Sequence, residues 1–319
     1  MEENIDLANS AGESLPRVVI IMSVYNAEKY LSEQIDSILA QRGAQVFLYI
    51  RDDGSCDRTP KILEEYARKD FRICFNRGAN IGAMKSFMQA LFDCPLKGDF
   101  FGFGDADDVW VPEKLEYTIG FIEKIICSHE AADCPVAVST KLMVVNERLE
   151  RIGETQTPKL QLCFENALIE TVTSGASIIM NKPAYDLIRE YHPTHAVMHD
   201  AWVYLLITAF GVFDYGDRPT ILYRQHDSNV TGTAHGLKRR LGLRWHRIQS
   251  SSPYWAQAAE FATLFRLRLE PRKRKILDDY LCYRNSFASR LRFALYPSVK
   301  AQSMKANLFN RILFLFGLG

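Results

Sequence analysis

The 319 residues contain no CxxC pair, no GxGxxG after the first apolar run, and no internal repeat or low-complexity segment. The seven cysteines are odd in number and scattered, so neither a disulfide framework nor a zinc ribbon is indicated, and reduced thiols of a cytosolic protein are the expectation. The longest apolar run, Trp202 to Phe213, is too short for the roughly 20 residues that span a bilayer, so no crossing by helices of its own is expected. Residues 1–16 are acidic and lack the apolar centre of a signal peptide. The missing glycine fingerprint disfavours a dinucleotide oxidoreductase.

Hydrophobic residues make up 47% and charged residues 24%, as in ordinary globular proteins. The net charge of +1 hides a cancellation. Residues 1–236 carry 22 Lys+Arg against 34 Asp+Glu, and residues 237–319 carry 17 against 4. The chain therefore divides into an acidic body, 1–236, and a basic tail, 237–319.

Along the body, strand and helix patterns alternate. Arg17–Ser23 is a continuous β-rich run suited to a buried parallel strand. Asn26 is placed to cap a helix on which Leu31, Ile35, Ile38 and Leu39 recur. Further strands are expected at Val46–Ile50, Phe71–Phe75 and Asp99–Gly104, with helices starting near Pro60 and Gly82. Beyond Val136 the pattern is mixed, with strands at Val136–Val145, Ala176–Met180 and Thr220–Tyr223 and helices near Pro183–Tyr191 and Asp200–Phe210. This alternation predicts an α/β fold with a mostly parallel sheet flanked by helices, its ligand crevice outside the carboxyl ends of the strands.

Two acidic clusters close predicted strands of that sheet. In Asp105-Ala-Asp107-Asp108, three carboxylates repel one another unless a cation sits among them, and hard oxygen ligands suit Mg²⁺ or Mn²⁺ bridging to substrate phosphates. An acidic loop that is solvated, or that caps a helix starting near Pro112, would use the same residues. Asp52-Asp53-Gly-Ser55 offers acceptors for ring N–H and ribose hydroxyl groups, although Asp-Gly is also a common turn. Gly78, Asn80 and Gly82 either shape a donor loop or meet a backbone requirement.

Taken together, Ser23-Val-Tyr25-Asn26, Gln41, Asp52-Asp53-Gly-Ser55, Asp57 and Asp105-Ala-Asp107-Asp108-Val-Trp110-Val-Pro112-Glu-Lys114-Leu115 resemble the N-terminal half of the family 2 glycosyltransferases. Ser174-Gly-Ala176, Met198-His199-Asp200-Ala-Trp202, Gly211 and Tyr223-Arg-Gln-His226-Asp-Ser-Asn229-Val-Thr-Gly232 resemble the bacterial rhamnosyltransferase-like branch, with Ala201 standing where an aromatic residue is expected. The resemblance implies a GT-A fold and a nucleotide-diphosphate sugar as donor. Ser23, Tyr25 and Asp53 would hold the base, Asp105 would lie near the ribose, and Asp107 would bind Mg²⁺ or Mn²⁺. Asp200 would be the catalytic base. Arg224 would close over the diphosphate, with His226 a second candidate metal ligand. His226 could equally be a structural loop histidine, Asp200 an N-cap, and His199 a packed neighbour.

The implied reaction is inverting transfer of a sugar, rhamnose from dTDP-rhamnose as the first choice, to a cell-surface polysaccharide or lipid-linked saccharide. A UDP-hexose donor is the alternative. A non-catalytic nucleotide-sugar binding module and an aspartyl phosphotransferase are readings of other classes. The tail, with Lys238-Arg-Arg240 and Arg272-Lys-Arg-Lys275 among aromatic residues, reads as basic amphipathic helices. It could meet a membrane surface, dock a protein partner or be merely solvated. A cytoplasmic protein, peripheral at the inner face of the plasma membrane, is the expected location. No nucleic-acid motif accompanies the charge, so no nucleic-acid partner is expected.

Overall fold

The computed structural model describes residues 15–129, 133–158, 162–226 and 253–318. The first half runs β1 (Arg17–Val24), α1 (Leu31–Leu39), β2 (Gln45–Asp52), α2 (Thr59–Lys69), β3 (Ile73–Arg77), α3 (Ala83–Asp93) and β4 (Phe100–Gly104). There follow β5 (Val109–Trp110), α4 (Lys114–His129), β6 (Val136–Val145), β7 (Arg151–Glu154), α5 (Phe164–Ala167), β8 (Ile179–Asn181), α6 (Lys182–Ile188), α7 (His199–Phe210) and β9 (Val212–Arg224). The tail forms α8 (Pro253–Phe265), α9 (Pro271–Cys282), α10 (Phe287–Leu295) and α11 (Met304–Phe316).

The sheet order is β3-β2-β1-β4-β8-β6-β9-β5, with β7 added beside β6. β1, β2, β3 and β4 are mutually parallel, as is β6 with β9, while β8, β5 and β7 run against their neighbours. This is the expected α/β architecture, a mostly parallel sheet flanked by helices and followed by a helical C-terminal region. β1 and β4 are buried on both faces, and their side chains alternate between two cores. Val18, Ile20 and Met22 face α1, α2 and α4, whereas Val19 and Ile21 face α3, α6 and α7.

Several local expectations are corrected. Asn26 does not cap α1, whose N-cap is Tyr30; it sits at φ 48° and accepts the Cys56 N–H at 2.9 Å, joining the loops after β1 and β2. The expected strand at Ala176–Met180 begins with a 3₁₀ turn, Gly175–Ser177, so the strand itself is β8. Thr220–Tyr223 is the end of the much longer β9, held in register by ten-residue β6. Pattern alone misses such strands because their residues alternate irregularly around bulges.

The tail helices are not separate from the body. Phe261 of α8 lies 5.8 Å from Phe164 and 6.3 Å from Trp202 between ring centroids, within one continuous hydrophobic core. The basic run 272–275, expected to belong to a basic amphipathic helix, is divided, with Arg272 and Lys275 exposed and Lys273 and Arg274 half-buried. Arg272 pairs with Glu165, Lys273 donates to the Ala209 carbonyl at 2.8 Å, and Arg274 donates to the Leu267 and Leu269 carbonyls. Lys238-Arg-Arg240 lies outside the described residues. Truncating Phe261 to alanine should therefore cost about 3–5 kcal/mol in denaturant unfolding of the whole protein. A loss below about 1 kcal/mol would contradict a core shared between α8 and α7.

Candidate active site

The parallel order β2-β1-β4 brings the carboxyl ends of these strands to one edge, where both acidic clusters meet. At the β2 end, Asp53 is 2% exposed and fully engaged. Its two carboxylate oxygens accept the Ile81 and Gly82 N–H groups at 3.0 Å each, and it pairs with Arg51. Gly82, at φ 84°, is the N-cap of α3, so Asp53 fixes the loop that the glycine lets turn. Arg51 also donates to Ser86 at 2.7 Å and to the Ala79 carbonyl at 3.1 Å, and Ser23 donates to Ser86 at 2.5 Å. Ser23 thus joins the Asp53 network from β1, while Tyr25 stands exposed at the rim.

At the β4 end the carboxylates crowd. Burial first, and then the charges of Asp107 and Asp200, raise the Asp105 carboxyl to about 7. Asp108, completely buried, is raised well above the carboxylate range by burial and by Asp105 and Asp107. Its Oδ1 accepts the Arg224 N–H at 3.1 Å. Lys114, also completely buried, is lowered to about 7 by burial against the attraction of Asp108, and its Nζ donates to the Ser177 carbonyl at 3.2 Å.

Asp107 is the more open member, and His226 Nε2 lies 2.8 Å from its Oδ2. The His226 ring stacks on Tyr30 at 5.1 Å. Arg224 is 2% exposed. Its Nε donates to the Asp107 carbonyl at 2.9 Å, its Nη1 to the Glu147 carbonyl at 2.6 Å, and its Nη2 pairs with Glu33. The expectation that this guanidinium pairs with a diphosphate meets a geometry in which all three nitrogens are engaged within the protein. Asp227–Gly232 of the second motif lie outside the described residues.

Asp200 lies in the first turn of α7, whose N-cap is Met198, and the carboxylate accepts the Ala201 N–H at 2.8 Å. Burial raises its carboxyl to about 6, opposed by the N–H groups of Ala201, Asp200 and Gly175. His199 is buried and held neutral, stacked on Phe87 at 4.1 Å, with neither ring nitrogen hydrogen-bonded among the described residues. Gly175 is needed beside it, because a Cβ there would meet His199 Nε2 at 2.1 Å. The loop before Asp200 is held from the tail. Glu260 of α8 accepts the Thr194 and His195 N–H groups at 2.8 and 2.7 Å, and Gln257 accepts the Val197 N–H at 2.9 Å.

Arg51, Glu33, Tyr30 and Glu260 carried no assigned role in the sequence. For Arg51 a signal was present, a charged residue ending an otherwise buried strand, whereas the others act across sequence separations no local pattern reports. Among the described residues no group of three or more His, Cys, Asp or Glu side chains converges on one point, and Asp107 and His226 form a contacting pair.

Residues 19–162 match the family model described as "Glycosyl transferase family 2". Over that stretch, 144 of the 319 residues, the chain is similar to this family. Among related sequences, the dTDP-rhamnosyl transferase RfbG of Shigella flexneri is 27% identical over 248 residues, covering 71% of this chain and 81% of that protein. The uncharacterized glycosyltransferase RT0329 of Rickettsia typhi is 26% identical over 228 residues, covering 69% and 67%. Among solved structures, TarS 1-349 of S. aureus in complex with UDP-GlcNAc superposes with a TM-score of 0.53 at 16% identity, covering 94% of this chain and 90% of that one. Mannosyltransferase PcManGT of Pyrobaculum calidifontis, in complex with GDP-Man and Mn2+, gives 0.52 at 16% identity, covering 96% and 84%. At such identities the structural likeness carries the GT-A fold alone, and the likeness in sequence to glycosyltransferases rests on the match over residues 19–162 and on these relatives.

The raised Asp105 carboxyl has a signed consequence. An unfolded aspartate ionises near pH 4, whereas the folded group keeps its proton to about 7, so the stability it contributes is complete below about pH 4 and is lost as pH rises to about 7. In chelator, the melting-temperature advantage of wild type over Asp105→Asn should shrink across that interval. A difference that stays constant with pH would show that Asp105 titrates normally.

Proposed function

We propose that this glycosyltransferase transfers a sugar with inversion from a nucleotide-diphosphate donor, with Mg²⁺ or Mn²⁺ as cofactor, to a saccharide or lipid-linked saccharide acceptor. The observation that carries the reading is the meeting of Asp53, Asp105, the Asp107–His226 pair and Asp200 at one end of the parallel strands. L-rhamnose from dTDP-rhamnose is the favoured donor, supported by the likeness to RfbG over most of both chains.

A divalent ion fits the residues present, because Asp107 Oδ2 and His226 Nε2 converge beside Asp105 and Asp108, whose carboxyls burial and mutual repulsion raise and a cation would relieve. Bound there, such an ion would supply positive charge that offsets the charge of the departing nucleotide diphosphate. Tyr25, Ser23 and the Asp53 loop receive the base, and Asp105 faces the ribose. Arg224 acts as a brace rather than a phosphate ligand, holding the Asp107 backbone. Asp200 accepts the acceptor hydroxyl proton as that oxygen bonds to the anomeric carbon and the bond to the donor phosphate breaks. A carboxyl near 6 is mostly ionised at neutral pH yet basic enough to take the proton. One carboxylate suffices, since a single displacement needs one base.

Donor binding at a hundred times the dissociation constant should add about 2.7 kcal/mol of stability, read as a melting shift with dTDP-rhamnose or UDP-sugars. The shift should require Mg²⁺ or Mn²⁺, vanish in Asp107→Ala, and be largest with the true donor. No shift with any nucleotide sugar would sink the transferase reading. Asp200→Asn should keep the donor shift while losing about 10²–10⁴-fold in transfer. The wild-type pH–rate profile should fall on its acid side with a midpoint near 6. An acid limb near 4 would remove Asp200 from the role of base.

A further inference from the structure

From Tyr280 to the end the sequence has six Lys or Arg residues and no Asp or Glu. This segment builds α10 and α11, which pack together and onto the end of α9. Phe293 of α10 and Phe314 of α11 meet edge to face at 4.9 Å, and both contact Tyr283, so each helix has one face fixed inward. The other face of α11 is apolar and open. Met304, Leu308, Ile312 and Phe316, four residues apart and thus stacked along the helix, are 89%, 65%, 50% and 64% exposed. On α10, Leu291 and Leu295 repeat the pattern at 42% and 53%. Such regular exposure of large apolar residues marks a surface with a partner.

We propose that α10 and α11 form a docking face for an anionic lipid bilayer. The charge selects this occupant. Lys305 and Arg311 on α11 and Arg292 on α10 are exposed among the apolar residues, which suits headgroups of negative charge and acyl chains beneath. A second copy would bring the same positive face against itself. The acidic body, with its excess of twelve negative charges over residues 1–236, is repelled from the same membrane and so orients the molecule with this face down. Among the described residues no helix is long and apolar enough to cross a membrane, and α11 has 13 residues, so the contact lies in the interface. The inference does not depend on which sugar is transferred.

The test is flotation of the full chain with phosphatidylcholine vesicles and with vesicles containing phosphatidylglycerol. Wild type should float with the anionic vesicles alone and be released by salt. Leu308→Glu/Ile312→Glu, which alters exposed positions and should keep the wild-type melting temperature, should weaken binding by about tenfold or more, as should Lys305→Glu/Arg311→Glu. Absence of wild-type binding to the anionic vesicles would overturn the proposal. So would unchanged binding by both variants, or a wild-type dimer in solution that Leu308→Glu/Ile312→Glu dissociates.

Discussion

Three carboxylates within four residues, at the end of a strand with no exposed side chain, set the terms for the rest of the site. Charges so close in a low-dielectric setting cannot all ionise without a compensating cation. Burial and mutual repulsion raise the Asp105 and Asp108 carboxyls, and Asp107 lies against His226. The surrounding architecture follows from this crowding. Arg224 comes from the far end of β9 to hold the Asp107 and Asp108 backbone and side chain, and β9 reaches that point through its long pairing with β6. Lys114 lies buried on the other side, neutralised in part by the same desolvation.

The second constraint is the rigidity of the loops that flank the cluster. The loops after β1 and β2 are joined by hydrogen bonds from Asn26, Ala27 and Glu28 to Ser55, Thr59 and Asp57. The Asp53–Arg51–Ser86–Ser23 network ties them to α3. Buried charge pairs of this kind contribute little net stability, because desolvation offsets attraction. They do hold one geometry, and a binding rim needs that. The tail serves similarly at the opposite side, where Glu260 and Gln257 fix the chain leading into Asp200. Residues distant in sequence and opposite in charge character therefore share one site.

Much of the fold was legible from the chain. Continuous apolar runs placed β1, β2 and β4, and the Asp-Asp and Asp-x-Asp that close β2 and β4 marked their common edge, because parallel strands buried on both faces must read as continuous hydrophobic segments. The motif residues Ser23, Asp53, Asp105, Asp107, Asp200 and His226 were all legible as candidates. The antiparallel members β5 and β7 were not, since strands of two to four residues carry too little periodicity to be distinguished from loop, and β8 was legible only within the wider run Ala176–Met180.

What sequence determined by itself was chemistry in order: which acids close which strands, where the charge reverses, and which side chains could serve as base or ligand. Tertiary structure decided what those groups are free to do. It turned the Arg224 guanidinium inward against Glu33 and the Asp107 carbonyl, engaged Asp53 with Arg51, and drew Lys273 and Arg274 onto backbone carbonyls while leaving the stripe of α11 outside. The reason is physical. Ionisation and hydrogen bonding depend on burial and on neighbours brought from 100 or more residues away, and neither quantity is carried by local pattern.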